Sequence, residues 1–444
     1  MTQAARIAVA ILLAGAMLLA GAAMGVLRGP SPAPGAVATT GNVAFALLGP
    51  AEVGSLEATV AQLQDHLRGS PGDPRALALL GLAYLQRGRL TADPGWYPKA
   101  ERALGRSLAL HREGNFEAVL GLGVLALSRH DFIEALDRGR EARRLNPYNA
   151  DARGVIGDAM LELGRYRAAG RAYQEMIDLR PSLSSYARVA AYREVTGDLR
   201  GAIRAMAEAT ALAPTPEDAA WAGFQLGELY ASSNRLPPAA RAYRTAAAVA
   251  PEAVLPRVGL ARIAAARGRL DRAARLLGEV VRRYPAPEFV ILLGDVHAAA
   301  GEPELARRQY DTVRAMERLY RAGGVDTDLE MALFDADHGS PLQALSRARS
   351  AYRRRPNVAS ADALAWALYA NDRYREASGY AERALRLRTP RASFRFHAGM
   401  IALRLGHIER ARRQLRLALA MNPHFSLVHA PTARRILDRL EAGG

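Results

Sequence analysis

Leu226-Gly227-x-x-Tyr230, followed by Ala239-x-x-x-Tyr243 and then Pro251, is the stretch that decides the fold. The same spacing returns in Ile156-Gly157, Ala169-x-x-x-Tyr173 and Pro181, and again in Leu293-Gly294 with Ala306-x-x-x-Tyr310. A period of about 34 residues is the mark of stacked helix pairs, each unable to bury its apolar faces without a neighbour. About ten such units run from about Pro74 to Pro423, roughly four-fifths of the chain.

Each recurring residue type has a physical reason. The small residue on the first helix (Gly123, Gly157, Gly227, Gly294, Gly399) and the alanine on the second (Ala135, Ala169, Ala239, Ala306, Ala411) sit where two antiparallel helices cross closely. A larger side chain there strains the packing. Gly164, Gly197, Gly268, Gly301, Gly339 and Gly406 are expected to end first helices through a left-handed turn. Pro147, Pro181, Pro214, Pro251, Pro285, Pro356 and Pro423 are expected to stop second helices.

The pattern resembles the tetratricopeptide repeat family, of the exported bacterial type. The resemblance implies an all-α fold: one elongated, right-handed superhelical solenoid of about ten helix pairs with N- and C-terminal capping helices. It overrides the roughly three domains that length alone suggests. The expected organisation is a signal peptide or membrane anchor over 1–28, a Pro/Gly/Ala-rich linker over 29–50 and a capping helix over 51–73. Repeats 1–7 then fill 74–322, repeats 8–10 fill 323–423, and a capping helix closes 424–444.

The resemblance also implies a concave groove lined mainly by first helices. By position it holds Asp151, Asp158, Glu162, Glu194, Glu228, Glu288, Asp295, Asp326, Glu330 and Asp337, with Arg188, Arg262 and Arg404 as the basic residues. A basic protein thus lines its groove with carboxylates, which would attract a basic segment; pairing between neighbouring repeats, such as Arg262 with Glu228 or Asp295, is the alternative. Trp221, Phe224, Trp366, Tyr369, Phe396 and Met400 add an apolar stripe that either receives a peptide or belongs to the core. The basic clamp with which co-chaperones of this family capture acidic tails is missing.

Composition narrows the chemistry. The chain has no cysteine, which excludes disulfides, thiol catalysis and cysteine-ligated zinc. Its formal charge of +16 is almost wholly arginine, Lys99 being the only lysine, and the arginines spread over every repeat with few aromatics between them. That distribution argues against nucleic acid as a partner and for an arginine-biased codon usage. No phosphate-binding loop, nucleophile elbow or H-E-x-x-H motif is present. The reading is non-enzymatic, without cofactor or metal. His397, His407, His424 and His429 fit no ligand spacing and read as surface histidines, and Asp335-Ala336-Asp337-His338 lacks the spacing of a calcium loop.

Arg6 precedes an uncharged apolar run from Ile7 to Leu27 that belongs to targeting. It is long enough to span a bilayer if it is not cleaved. Ser55 is placed to cap a helix reaching Leu67. Thr91–Pro98 is an insertion in the first repeat that either displays Trp96 and Tyr97 or packs them back. Beyond Tyr310 the helix runs on to Arg321, where a bend or seam is expected. The functional expectation is an exported scaffold, periplasmic, secreted or on the outer face of the cell membrane. Its partner is a protein or peptide with a basic and apolar segment. A place in a membrane transport, export or metal-uptake complex and self-assembly into a homo-oligomer are the alternatives.

Overall fold

The structure, a computed structural model, describes residues 56–442. The targeting run, the linker and Ser55 lie outside the described residues. Every regular element among those residues is helical. In chain order they are α1 (Leu56–Gly69), α2 (Pro74–Thr91), α3 (Tyr97–Leu110), α4 (Phe116–Ser128), α5 (Phe132–Leu145), α6 (Ala150–Glu162), α7 (Tyr166–Leu179) and α8 (Leu183–Val195). They continue with α9 (Leu199–Ala211), α10 (Pro216–Ser232), α11 (Leu236–Val249), α12 (Leu255–Ala266), α13 (Leu270–Arg283), α14 (Pro287–Ala299) and α15 (Pro303–Ala322). The last are α16 (Asp328–His338), α17 (Pro341–Arg354), α18 (Val358–Ala370), α19 (Tyr374–Leu385), α20 (Ala392–Arg404), α21 (Ile408–Met421) and α22 (His429–Ala442). From α2 to α21 these make ten pairs, with α1 packed on α2 and α22 on α21.

Sequence punctuation accounts for the boundaries. Each of the expected prolines stands one to three residues beyond the end of a second helix. Gly164, Gly197, Gly268, Gly301 and Gly406 take positive φ after first helices, as a left-handed turn requires. Gly339 does not: its φ is −138°, so α16 ends without that turn. His130, Asn234 and Asp372 take positive φ at the corresponding turns, with φ near 60°.

The close approach between paired helices is more specific than small packing against small. A Cβ on Gly157, Gly227 or Gly294 would fall 2.4, 2.2 or 2.5 Å from the ring of Tyr173, Tyr243 or Tyr310, four residues after the buried alanine of the second helix. The glycine is the slot for that ring. In the first repeat a short 3-10 turn at Pro94–Trp96 fills the insertion, and its aromatics pack back. The Trp96 ring lies 5.5 Å from that of Tyr84 and is covered by Arg87 and Lys99.

Contacts divide the chain into two compact units. The first takes residues up to Leu161, with Arg167–Arg188 and Met316–Asp326. The second takes Glu162–Tyr166, Val189–Ala315 and residues from Thr327. The cause is contact at long sequence separation, which nearest-neighbour stacking does not provide. Within the first unit, Arg129 Nε donates to the Gly323 carbonyl at 3.0 Å across 194 residues, and the Asp326 amide donates to the Arg129 carbonyl at 3.0 Å. Within the second, Asn357 Nδ2 donates to the Glu162 carbonyl at 2.9 Å, the Val358 amide to the Tyr166 hydroxyl at 2.9 Å, and Thr389 Oγ1 to the Val195 carbonyl at 2.6 Å. The helix expected to run to Arg321 ends at Ala322, and the division of contacts falls inside it, between Ala315 and Met316.

Candidate functional site

The fold gives most of the first-helix carboxylates partners. Asp158, Glu228 and Asp295 each follow the glycine that makes room for a tyrosine ring. Each accepts a hydrogen bond from that tyrosine fifteen residues later: Tyr173 at 3.0 Å, Tyr243 at 2.5 Å and Tyr310 at 2.9 Å. Each also meets an arginine or a histidine from the first helix of the following repeat. Arg188 Nε lies 3.0 Å from both Asp158 oxygens, Arg262 pairs with Glu228, and His338 Nε2 lies 3.2 Å from Asp295. The carboxylate is therefore a clip, joined to its own second helix by a tyrosine and to the next repeat by an arginine or a histidine.

Burial separates these residues. Asp158 and Arg188 are 0% and 4% exposed, which makes their pair part of the core. Glu228 and Asp295 keep 29% and 19% of their side chains in solvent. Burial, together with the neighbouring carboxylates Glu228 and Asp295, pushes the Tyr243 and Tyr310 hydroxyls well above the usual tyrosine range. Both tyrosines thus remain neutral donors.

Other members of the expected row are held by long-range pairs in the second unit. Arg355, 3% exposed, donates to Glu330 at 3.0 Å and lies 3.7 Å from Glu162, which also accepts from Asn357 Nδ2 at 3.1 Å. In the first unit Arg180 Nη2 holds both oxygens of Asp151 at 2.8 Å, and the Asp326 carbonyl lies 2.9 Å from His130 Nδ1. Glu194 stands apart. Burial pushes its carboxyl above the usual range, Arg391 draws it down and Glu228 pushes it up again, leaving it raised.

The apolar stripe is core. Phe224 is 1% exposed, with its ring 5.9 Å from that of Tyr243, and Trp221 is buried. Trp366, Phe396 and Met400 form one cluster with Leu415, Ala418 and Leu437, joining the last two repeats to α22. Tyr369 is half-buried and stacks on Trp366 at 4.6 Å. This burial leaves Phe224, Trp366 and Phe396 little surface to offer a partner, because ring area spent between helices cannot be spent twice.

His397 and His429 are expected at the surface; the structure corrects this for His397, which is buried, and leaves His429 half-buried. His397 is 4% exposed, and its Nδ1 lies 2.9 Å from Asp362. His429 Nε2 lies 3.0 Å from Asp337, which also accepts from Trp366 Nε1 at 2.7 Å. Burial pushes the Asp337 carboxyl up, but His429 and Trp366 outweigh it and leave it below the usual range. Asp335 is fully buried between Arg314 and Arg347. Among the described residues no group of three or more histidine and carboxylate side chains could hold a metal ion. The missed signal was in the sequence: an acid directly after the slot glycine, fifteen residues before a tyrosine, recurs in repeats 3, 5 and 7.

The tetratricopeptide repeat family model matches residues 120–184, 224–285, 258–317 and 363–424. Among curated proteins, "Cellulose synthase 1 operon protein C" of Komagataeibacter xylinus is 28% identical over 236 residues, covering 50% of this chain and 17% of that protein. The chain thus spans about a sixth of that relative's length. Among solved structures, yeast Tom70 is 16% identical, with 87% of this chain and 86% of that one covered and a TM-score of 0.38. The human IFIT1 dimer with PPP-AAAA is also 16% identical, with coverage of 78% and 82% and a TM-score of 0.46. Neither likeness bears on function.

Proposed function

The chain belongs to the tetratricopeptide repeat family, and from that premise we propose that it is a non-enzymatic scaffold outside the cytoplasm, holding a basic partner segment along its first helices. Repeats of this family generally serve protein–protein interaction, which supports the general reading. The observation that carries the finer one is the state of the second unit's acids. Glu228, Asp295, Glu330 and Asp337 keep part of their side chains in solvent although each has a partner. Glu194 is raised by burial and by Glu228, so these two carboxylates share a negative field. A cationic side chain arriving beside Glu194 would relieve it.

The test is capture of partners from membrane extract by the full chain beside a Glu194→Gln, Glu330→Gln variant. Loss of a captured protein with the variant, at unchanged melting temperature, supports the acidic surface. Identical capture removes it.

A second reading is an accessory subunit of a polysaccharide synthesis or export complex. It is favoured by the half-chain likeness to a protein named for a cellulose synthase operon. Deleting the chain in its host and measuring extracellular polysaccharide tests it, and unchanged output would set it aside. The extracytoplasmic location rests on the apolar run Ile7–Leu27. Among the described residues no helix is long and apolar enough to cross a membrane.

A further inference from the structure

We infer that four second helices of the second unit present a row of arginines to anionic lipid headgroups. Arg204, Arg241, Arg275 and Arg308 lie on α9, α11, α13 and α15, each two residues beyond the alanine buried at the helix crossing: Ala202, Ala239, Ala273 and Ala306. A shared register with respect to that alanine gives them the same position on consecutive repeats, facing away from the pair. All four are exposed.

The row differs in its partners from the arginines that join repeats. Arg262, Arg314, Arg347 and Arg355 of the same unit are committed to Glu228, Asp335 and Glu330, and Arg307, next to Arg308, pairs with Glu304. None of the four in the row makes a side-chain ion pair or hydrogen bond among the described residues. Glu208, Asp271, Glu279, Glu304, Asp311 and Glu317 share their helices and pair with none of them. The fold thus divides the arginine excess into arginines that hold repeats together and others left to solvent, Arg200, Arg244, Arg272 and Arg282 among them, of which the row is the set that recurs at one register.

Chemistry chooses the occupant. A guanidinium fork fits phosphate oxygens, and each basic residue near an anionic bilayer strengthens binding about fivefold. The tyrosines of these helices are turned inward, Tyr243 being 0% exposed, so no ring beside the row offers the stacking platform that single-stranded nucleic acid uses. Only 28 residues, 28–55, separate the apolar run from α1. At full extension they reach about 100 Å, which would keep an anchored chain beside the bilayer. To that extent the inference rests on the membrane-proximal reading above.

The experiment uses the full chain with vesicles of neutral phosphatidylcholine, and with the same vesicles containing phosphatidylglycerol. It is run in the parent and in a variant with Arg204, Arg241, Arg275 and Arg308 changed to Gln. The expected result is tighter binding when phosphatidylglycerol is present, falling as salt rises, and a loss of that gain of about six hundredfold in the variant. A gain that survives the four substitutions, or that ignores salt, overturns the inference. A second background, Leu13→Arg with Leu18→Arg, interrupts the apolar run. If neutral vesicles bind equally with and without these changes, the anchor reading fails on its own. If the phosphatidylglycerol gain persists there, the arginine row stands.

Discussion

Repeats 3 to 6 and repeats 7 to 10 both use first-helix carboxylates to hold later elements, with different partners. In the first set the cation is arginine, Arg188 on Asp158 and Arg262 on Glu228. In the second, histidines are added to arginine pairs such as Arg314 on Asp335: His338 on Asp295, His397 on Asp362, and His429, from the terminal helix, on Asp337. A guanidinium stays charged at any working pH and supplies several donors to one carboxylate. An imidazole supplies one donor per ring edge and stacks on its neighbours, as His397 does on Trp366 at 4.2 Å and His338 on Tyr310 at 4.3 Å. The arginine clip thus concentrates its strength in charge, whereas the histidine clip spreads it into aromatic packing.

The sharpest break in this comparison is Arg188→Ala. It leaves Asp158 buried without its cation and should cost about 3–5 kcal/mol in urea unfolding. A loss below about 1 kcal/mol would mean the pair contributes no more than a surface bridge. Next comes Gly227→Ala, whose added methyl enters the slot of the Tyr243 ring at 2.2 Å. About 1–3 kcal/mol is expected from overpacking, and Tyr243→Phe, which keeps the ring, should cost less. On the histidine side, His397→Ala leaves Asp362, 3% exposed, without its bond. About 1–3 kcal/mol is expected, part of it from the lost stacking on Trp366, so His397→Phe should recover some of the loss.

The smallest effect is a pH response. Asp337 is held below the usual carboxylate range, so its contribution is present above the unfolded value, about 3.9, and is lost as pH falls through the lower folded value. Melting curves from pH 6 down to pH 3 should show an acid limb that Asp337→Asn flattens, while Arg262→Gln, a half-exposed pair, leaves its shape alone and lowers stability by at most about 1 kcal/mol. Parallel acid limbs in the parent and Asp337→Asn would remove Asp337 from the clip.

Much of this was legible in residue order. Gly157, Ala169, Tyr173 and Pro181 each state a local requirement, and local requirements add along a chain of like units. The first-helix acids were legible as positions and misleading as chemistry. Asp158 reads as a groove carboxylate until Arg188, thirty residues on, is seen to sit on it. The alternative of neighbour pairing was visible for Arg262 and Glu228 because one repeat separates them, and the structure shows that pair. His397 looked like surface because nothing nearby in sequence announces Asp362, and Phe396 and Trp366 looked like a stripe because a core contact and a groove contact share helical spacing.

The sequence by itself determined the helices, their ends and the pairing of first with second helix, since these depend on side-chain volume, proline and glycine within some forty residues. Only the tertiary structure decided the joins at separations of 192 to 196 residues: Tyr166 with Val358, Asn357 with Glu162, and in the first unit His130 with Asp326. Those bonds are made by backbone groups and by single polar side chains in turns, where no periodicity exists to be read. Which arginine is bound and which is left to solvent follows from the same cause, because a charge has no partner until the fold supplies one.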